Sequence, residues 1–330
     1  MTSKLLQINN LSVNFRLREG LVRALKNVTF DVFENETVGV IGESGSGKSV
    51  TAQTILGILP QPPGQIIDGE IILNTKEKKI RLDNLAPYSE IFRELRWKEI
   101  SIIFQEPMSS FSPLHSIGDQ ISEALFIHKP DLKKDQIYEI CYETLYKVGI
   151  PNPQSFFTRY PHEFSGGMRQ RAMIAMALVC NPKILIADEP TTALDVTIEA
   201  QILNLLDSLK NEYKMSIIYI SHDLAVVSEI ADRIVVMYLG NIVESGFTDE
   251  IINDAKHPYT NALLNSIPRI DQPIETLEPI EGSIPSPFEA YKGCPFYERC
   301  NSRIEKLCNI DMPINKYLDD NHSVSCHIYN

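Results

Sequence analysis

The stretch GESGSGKS, Gly42 to Ser49, leaves this chain few folds to choose from. A short apolar run, TVGVI, leads into it and VTAQTILGIL follows it. A strand that passes straight into a glycine-rich loop and then a helix points successive backbone N–H groups inward around phosphate oxygens. The positive N-terminal end of the helix stands behind them. Gly42, Ser44, Gly45 and Gly47 form this cradle, Lys48 reaches the terminal phosphates, and the Ser49 hydroxyl is placed to bind Mg²⁺.

One hydroxyl cannot complete the shell of an octahedral Mg²⁺, so a second acidic element is expected. KILIADEP supplies it: Asp188 closes an apolar run and can hold the metal through water, and Glu189 can polarise the attacking water as general base. KILIAD, SIIYIS and RIVVMY are continuously apolar and are separated by helical stretches such as TIEAQILNLLDSLKNEY. That pattern predicts a parallel sheet covered on both faces. From Leu5 to about Ile41 the chain reads as strands, GQIIDGEIIL as a hairpin turning at Asp-Gly, KEISIIFQ as a further strand and KEKK as a solvated loop. Helical segments fill about 107–164, and after about Ser266 the chain becomes proline-rich. The expected division is an ATPase domain over 1–266, carrying the helical insert, and a connector with a cysteine-bearing domain over 267–330.

The charge balance is 31 Lys+Arg against 43 Asp+Glu, a net −12, which disfavours a nucleic-acid partner. No uncharged apolar run approaches the about 18 residues that a membrane span needs, and the N-terminus has too short an apolar stretch for a signal peptide. Membrane work must come through partners.

FSGGMRQR, Phe164 to Arg171, precedes the Asp188 strand and resembles the signature motif of ATP-binding cassette (ABC) ATPases. The remaining elements follow in that family's order: Gln105 in IIFQEP, the loop TTALD ending at Asp195, His222 in ISHD, and Phe15 in LSVNF where an aromatic lies under the adenine. The resemblance implies a P-loop NTPase fold of ABC type, α/β, with a parallel core sheet, an antiparallel β flank and a helical insert. It also implies two such domains facing head to tail, with ATP between one phosphate loop and the other's Ser165, Gly166 and Gly167. Gln105 then touches Mg²⁺ or the attacking water, His222 contacts the γ-phosphate and Asp195 crosses the dimer interface. Hydrolysis removes the group that holds the halves together.

FQEPMSSFSPLHSIGDQISE and HPYTNALLNSIP further resemble the oligopeptide/dipeptide importer branch and its D-type ATP-binding subunit. That branch implies two membrane permease subunits, an extracytoplasmic solute-binding protein and a second, related ATPase. The place of work is the cytoplasmic face of the membrane. Nickel chelates and oligosaccharides are alternative cargoes within the branch. A soluble ABC ATPase acting on nucleic acid or ribosomes is the alternative class, disfavoured by the acidic charge, the single cassette and the lack of a long coiled coil. Intact Lys48, Asp188 and Glu189 argue against a regulatory protein in which nucleotide is secondary.

Six cysteines occur, of which Cys141 and Cys180 sit in helical segments as buried fillers. In the tail, gaps of five, seven and seventeen residues separate Cys294, Cys300, Cys308 and Cys326 in turn. Tight zinc knuckles are absent from that spacing, which suits an iron–sulfur cluster; zinc, with His322 or His327 as a substitute ligand, and no metal stay open. The importer branch supports a [4Fe-4S] cluster on these four cysteines. A metal staple that lets a small tail fold is favoured over a redox sensor.

Overall fold

A computed structural model of the chain describes residues 3–105, 110–192, 194–267, 280–289 and 291–330. The expected start of the helical insert at Pro107, Ala193 of TTALD and most of the proline-rich connector lie outside the described residues. The chain divides into two compact units, Met1–Asn84 with Tyr219–Asn330, and Leu85–Ile218.

In the first unit, β1 (Lys4–Arg16) pairs antiparallel with β2 (Leu21–Phe33) and with β4 (Gly64–Asn74), and β5 (Lys79–Arg81) closes a four-stranded sheet. Leu6, Ile8, Leu11 and Val13 of β1 are fully buried and share their face with Leu25 and Val28 of β2. The hairpin expected in GQIIDGEIIL does not form, because β4 runs through Asp68-Gly69 without turning. Gly69 instead has φ +101, and a Cβ there would lie 2.6 Å from the Asn10 carbonyl oxygen, where the pairing with β1 shifts register. The glycine serves an irregularity in a continuous strand, which the Asp-Gly pair alone does not distinguish from a turn.

The apolar strand before the loop is β3 (Thr37–Ile41), buried at every residue and parallel to β9 (Arg233–Tyr238). Helix Leu224–Ile230, capped by the Asp223 carboxylate, packs on β3 so closely that a Cβ at Gly39 would lie 2.2 Å from Val227. β10 (Asn241–Phe247) pairs with β9, β12 (Ser323–Val324) with β10, and β11 (Lys316–Tyr317) with β12. The end of the chain is therefore an edge addition to this sheet, and the described tail residues do not separate as a unit of their own.

In the second unit, β6 (Ile100–Ile103) runs parallel to β7 (Ile184–Asp188), with Ile103 opposite Ala187. The described part of the insert contains helices Ile117–His128, Lys134–Lys147 and Pro153–Phe157. They close around Phe157, which Tyr138 and Tyr142 meet edge-on at 5.0 Å. Helices Gly166–Leu178 and Val196–Tyr213 complete the unit, and β8 (Ser216–Ser221) carries the chain back to the first. Cys141 is buried in its helix as expected; Cys180 is buried too, but in the turn after Leu178. No helix among the described residues is long and apolar enough to cross a membrane.

Candidate functional site

The first unit holds the phosphate loop. β3 ends at Ile41, and Gly42 lies where a Cβ would sit 2.2 Å from the Met237 carbonyl oxygen. Gly47, at φ 104, caps helix Lys48–Ile55, and a Cβ there would meet the Ala24 carbonyl oxygen at 2.8 Å. Both positions admit only glycine, one through close approach and one through left-handed backbone as well. The Lys48 ammonium donates to the carbonyls of Gly42 at 2.6 Å and Glu43 at 3.1 Å, so it is held over the loop. Ser46 Oγ is buried without a hydrogen-bond partner, and open space lies beyond Gly45. A buried hydroxyl without a partner, in a loop with open space at Gly45, fits an anion with several acceptor oxygens. Ser44 is exposed at the rim, and Ser49 stands in the first turn of the helix.

Phe15, half-buried near the end of β1, lines one cavity with Gly45 and Gly47. His222 is exposed in the turn after β8.

The second unit holds the acidic strand. Asp188 ends β7 with only 7% of its surface exposed. Glu189 follows in left-handed backbone at φ 46, an unfavourable conformation for a residue with a side chain. Its carboxylate accepts from Gln105 Nε2 at 2.9 Å and from Thr192 Oγ1 at 3.1 Å. Two donors thus fix the direction of the group that sequence chemistry selects as the base. Ser165 caps the signature helix through the Met168 amide, and Asp195 caps the next helix through the Ile198 amide. A Cβ on Gly167 would come within 3.2 Å of Ile198, so the signature and the Asp195 turn are packed together. Within this unit Gln105 and Glu189 come together, as do Ser165–Gly167 and the Asp195 helix. Ser49 and Asp188 are each oxygen donors of the kind Mg²⁺ takes.

Sequence reasoning did not find the residues that bind the tail to the loop. Arg299 makes a two-pronged ion pair with the Glu43 carboxylate, 2.6 Å and 3.0 Å, and also reaches Tyr238 Oη and the Glu281 carbonyl. The Tyr259 hydroxyl accepts from the Glu43 amide at 2.9 Å, and burial raises that phenol well above its usual range. Phe296, 2% exposed, meets Tyr238 and Tyr259 at 5.3 Å. No spacing rule signals these contacts, since Arg299 and Glu43 are 256 residues apart.

The described part of the tail shows no assembled metal centre. Among the described residues no three His, Cys, Asp or Glu side chains group so as to hold a metal ion. Cys294, Cys300, Cys308 and Cys326 are all free thiols, and burial pushes Cys294 up to about 12. Cys300, Cys308 and Cys326 all act electrostatically on Cys294, and thiols are the donors that a thiolate-bound cluster takes. His322 is engaged elsewhere: its Nε2 lies 2.8 Å from the buried Glu244 carboxylate, which also accepts the amides of Lys256 and His257. His327 Nε2 lies 2.8 Å from the Asp311 carbonyl oxygen. The tail is held by the buried Phe296, the Arg299–Glu43 pair and β12.

Comparisons with known proteins bear on the whole chain. Residues 25–192 match the family described as "ABC transporter", and residues 243–308 match "Oligopeptide/dipeptide transporter, C-terminal region". The dipeptide transport ATP-binding protein DppD of Bacillus subtilis is 45% identical over 323 residues, covering 98% of this chain and 94% of that protein. The oligopeptide transport ATP-binding protein AppD of the same organism is 44% identical over 328 residues, covering 99% and 97%. Among solved structures, a dimeric ATP-binding cassette in a post-hydrolysis state with ADP and Pi superposes with TM-score 0.64 at 26% identity, covering 74% of this chain and 98% of that one. The protein cbiO1 from Clostridium perfringens, part of an ABC transporter complex, gives 0.62 at 27% identity, covering 76% and 91%.

Proposed function

We propose that this chain, which belongs to the ABC transporter family, is the ATP-binding and ATP-hydrolysing subunit of a membrane importer for di- and oligopeptides. Its fold is that of an ABC ATPase nucleotide-binding domain with mixed α/β sheets, and it is an ATPase. The observation that carries the reading is the Glu189 carboxylate aimed by Gln105 and Thr192, in a chain that also closes a glycine loop around Lys48.

The residues divide the work. Lys48 exchanges the Gly42 and Glu43 carbonyls for phosphate oxygens when ATP arrives, while the loop amides and the helix N-terminus take the remaining charge. Ser49, Asp188 and Gln105 are the oxygen donors for Mg²⁺, which when bound neutralises charge developing on the transferred phosphoryl group. Glu189 accepts a proton from the attacking water, and the Gln105 and Thr192 contacts keep its carboxylate oriented for that transfer. Ser165, Gly166 and Gly167 present a capped helix N-terminus to the γ-phosphate of an opposing, related ATPase subunit, with Asp195 at the interface and His222 on the γ-phosphate. ATP then holds the pair closed and hydrolysis releases it. Residues 1–266 carry this cycle and 267–330 are appended to it. Two permease subunits receive the motion at the cytoplasmic face, and an extracytoplasmic solute-binding protein delivers the peptide. The full-length similarity to peptide-transport ATP-binding proteins supports this assembly and cargo.

The test uses the complete importer. Glu189→Gln keeps ATP binding while phosphate release falls by roughly 10²- to 10⁴-fold, the usual worth of a positioned base. Lys48→Ala abolishes uptake of labelled dipeptide. Normal uptake in that variant sinks the motor reading, and uptake of a nickel chelate or an oligosaccharide in place of peptide replaces the cargo. A secondary reading takes Cys294, Cys300, Cys308 and Cys326 as ligands of an iron–sulfur cluster, supported by the electrostatic influence of the other three thiols on Cys294. Iron and sulfide in stoichiometric amount on protein purified without oxygen support it, and their absence removes it.

A further inference from the structure

A cavity of about 230 Å³ opens from the phosphate loop, lined by Gly45, Gly47, Phe15, Leu239, Phe288 and Tyr291 among others. All of these residues belong to one compact unit. Pockets that enclose a whole ligand run to about 300–1,000 Å³, so this one suits a flat ring system whose phosphates stay outside on the loop backbone. Three aromatic rings line it: Phe15 from β1, a second ring, Phe288, from near the end of the chain, and Tyr291 close after it in sequence.

That second ring is held in place. Phe288 lies on the turn that joins β1 to β2: a Cβ at Gly20 would be 3.1 Å from its ring, and the Leu17 amide closes that turn on the Gly20 carbonyl. The ring nonetheless keeps 43% of its surface exposed, which leaves it able to take a partner. Ser286 shapes the approach, its carbonyl accepting the Glu289 amide at 3.0 Å and its hydroxyl the Phe288 amide at 3.4 Å. Tyr291 anchors the other side. Its hydroxyl donates to the Leu239 carbonyl at 3.1 Å and accepts from Asn241 Nδ2 at 2.9 Å, while the Lys26 ammonium donates to that hydroxyl and stands 3.9 Å over the ring. Burial and the neighbouring Arg23 push Lys26 down to about 8, as a poorly hydrated wall requires.

We propose that Phe288 is a second stacking wall for the purine base of ATP beside Phe15, in a cavity that the anchored Tyr291 also lines, so that the C-terminal part of the chain takes part in nucleotide recognition. The proposal rests on the ATPase reading and deepens it. Base stacking on an aromatic ring needs no hydrogen-bond readout, which suits a wall made by an apolar ring.

The experiment is binding of ATP and, separately, of inorganic tripolyphosphate to the full chain and its variants by calorimetry. Phe288→Ala is expected to weaken ATP by about fivefold to a hundredfold and to leave tripolyphosphate unchanged, because only the base meets the ring. Phe288→Trp restores ATP affinity, and Tyr291→Phe produces a smaller loss of the same kind. Unchanged ATP affinity in Phe288→Ala, with a loss in Phe15→Ala, overturns the wall and leaves the ATPase standing. Equal losses for both probes in Phe288→Ala overturn it too, since they report damage to the loop. A wild-type chain that binds no ATP overturns both readings.

Discussion

Gly42–Ser49 and the span from Cys294 to Cys326 each crowd several unusual residues into a short stretch, and they are built in opposite ways. Lys48 bonds to a carbonyl six residues away, and Gly47 answers to its own left-handed backbone as well as to a close approach. Arg299, between two of the tail cysteines, bonds to a carboxylate 256 residues away, and Phe296 is buried among residues of β9 and the helix Pro258–Asn265. The loop's defining bonds lie mostly within the loop, although Gly42 is also fitted against the Met237 carbonyl. The tail keeps its shape only on this body, which teaches that dense spacing alone does not mark a self-sufficient site.

The comparison breaks first at Phe296. Phe296→Ala is expected to cost about 3–5 kcal/mol of unfolding free energy, as for other large buried aromatics, read as a lowered midpoint in urea. If the tail instead folds by itself, the same change leaves the midpoint of the body where it was. Arg299→Met comes next. It leaves Glu43 without its partner, and because the Glu43 side chain is 24% exposed the cost is roughly 2–3 kcal/mol, below that of a fully buried pair. ATP affinity should fall with it, since Glu43 belongs to the loop; a change in stability with ATP affinity intact would separate the two regions again. The smallest effect concerns the thiols. With Cys294 raised to about 12, its thiolate is scarce at pH 8. Alkylation of metal-free native protein is therefore expected to be more than about tenfold slower than in urea, and to quicken steeply only at strongly alkaline pH. Equal rates would show that burial does not protect the tail.

Much of the site was legible beforehand, for a reason visible in particular residues. Gly47 must be glycine because its backbone is left-handed, and Asp195 and Ser165 precede their helices because a carboxylate or hydroxyl caps the next amides. Each of those demands acts within a few positions of the chain. Asp68-Gly69 was misread as a turn because a glycine forced by the neighbouring strand at Asn10 looks the same in sequence as one forced by its own neighbours. The left-handed backbone of Glu189 had no sequence signal either, since glutamate does not favour it.

The sequence by itself determined the strand-loop-helix around Lys48, the acidic end of β7, the capped signature helix and the buried character of the central strands. These follow from backbone conformational demands and from apolar periodicity, which have a reach of a few residues. Tertiary structure alone decided that Gln105 and Thr192 aim Glu189, that Arg299 holds Glu43, that His322 belongs to Glu244, and that Phe288 and Tyr291 stand at the loop's cavity. Such pairings join residues far apart in the chain, and their strength comes from exclusion of water and close approach, which exist only once the elements have packed.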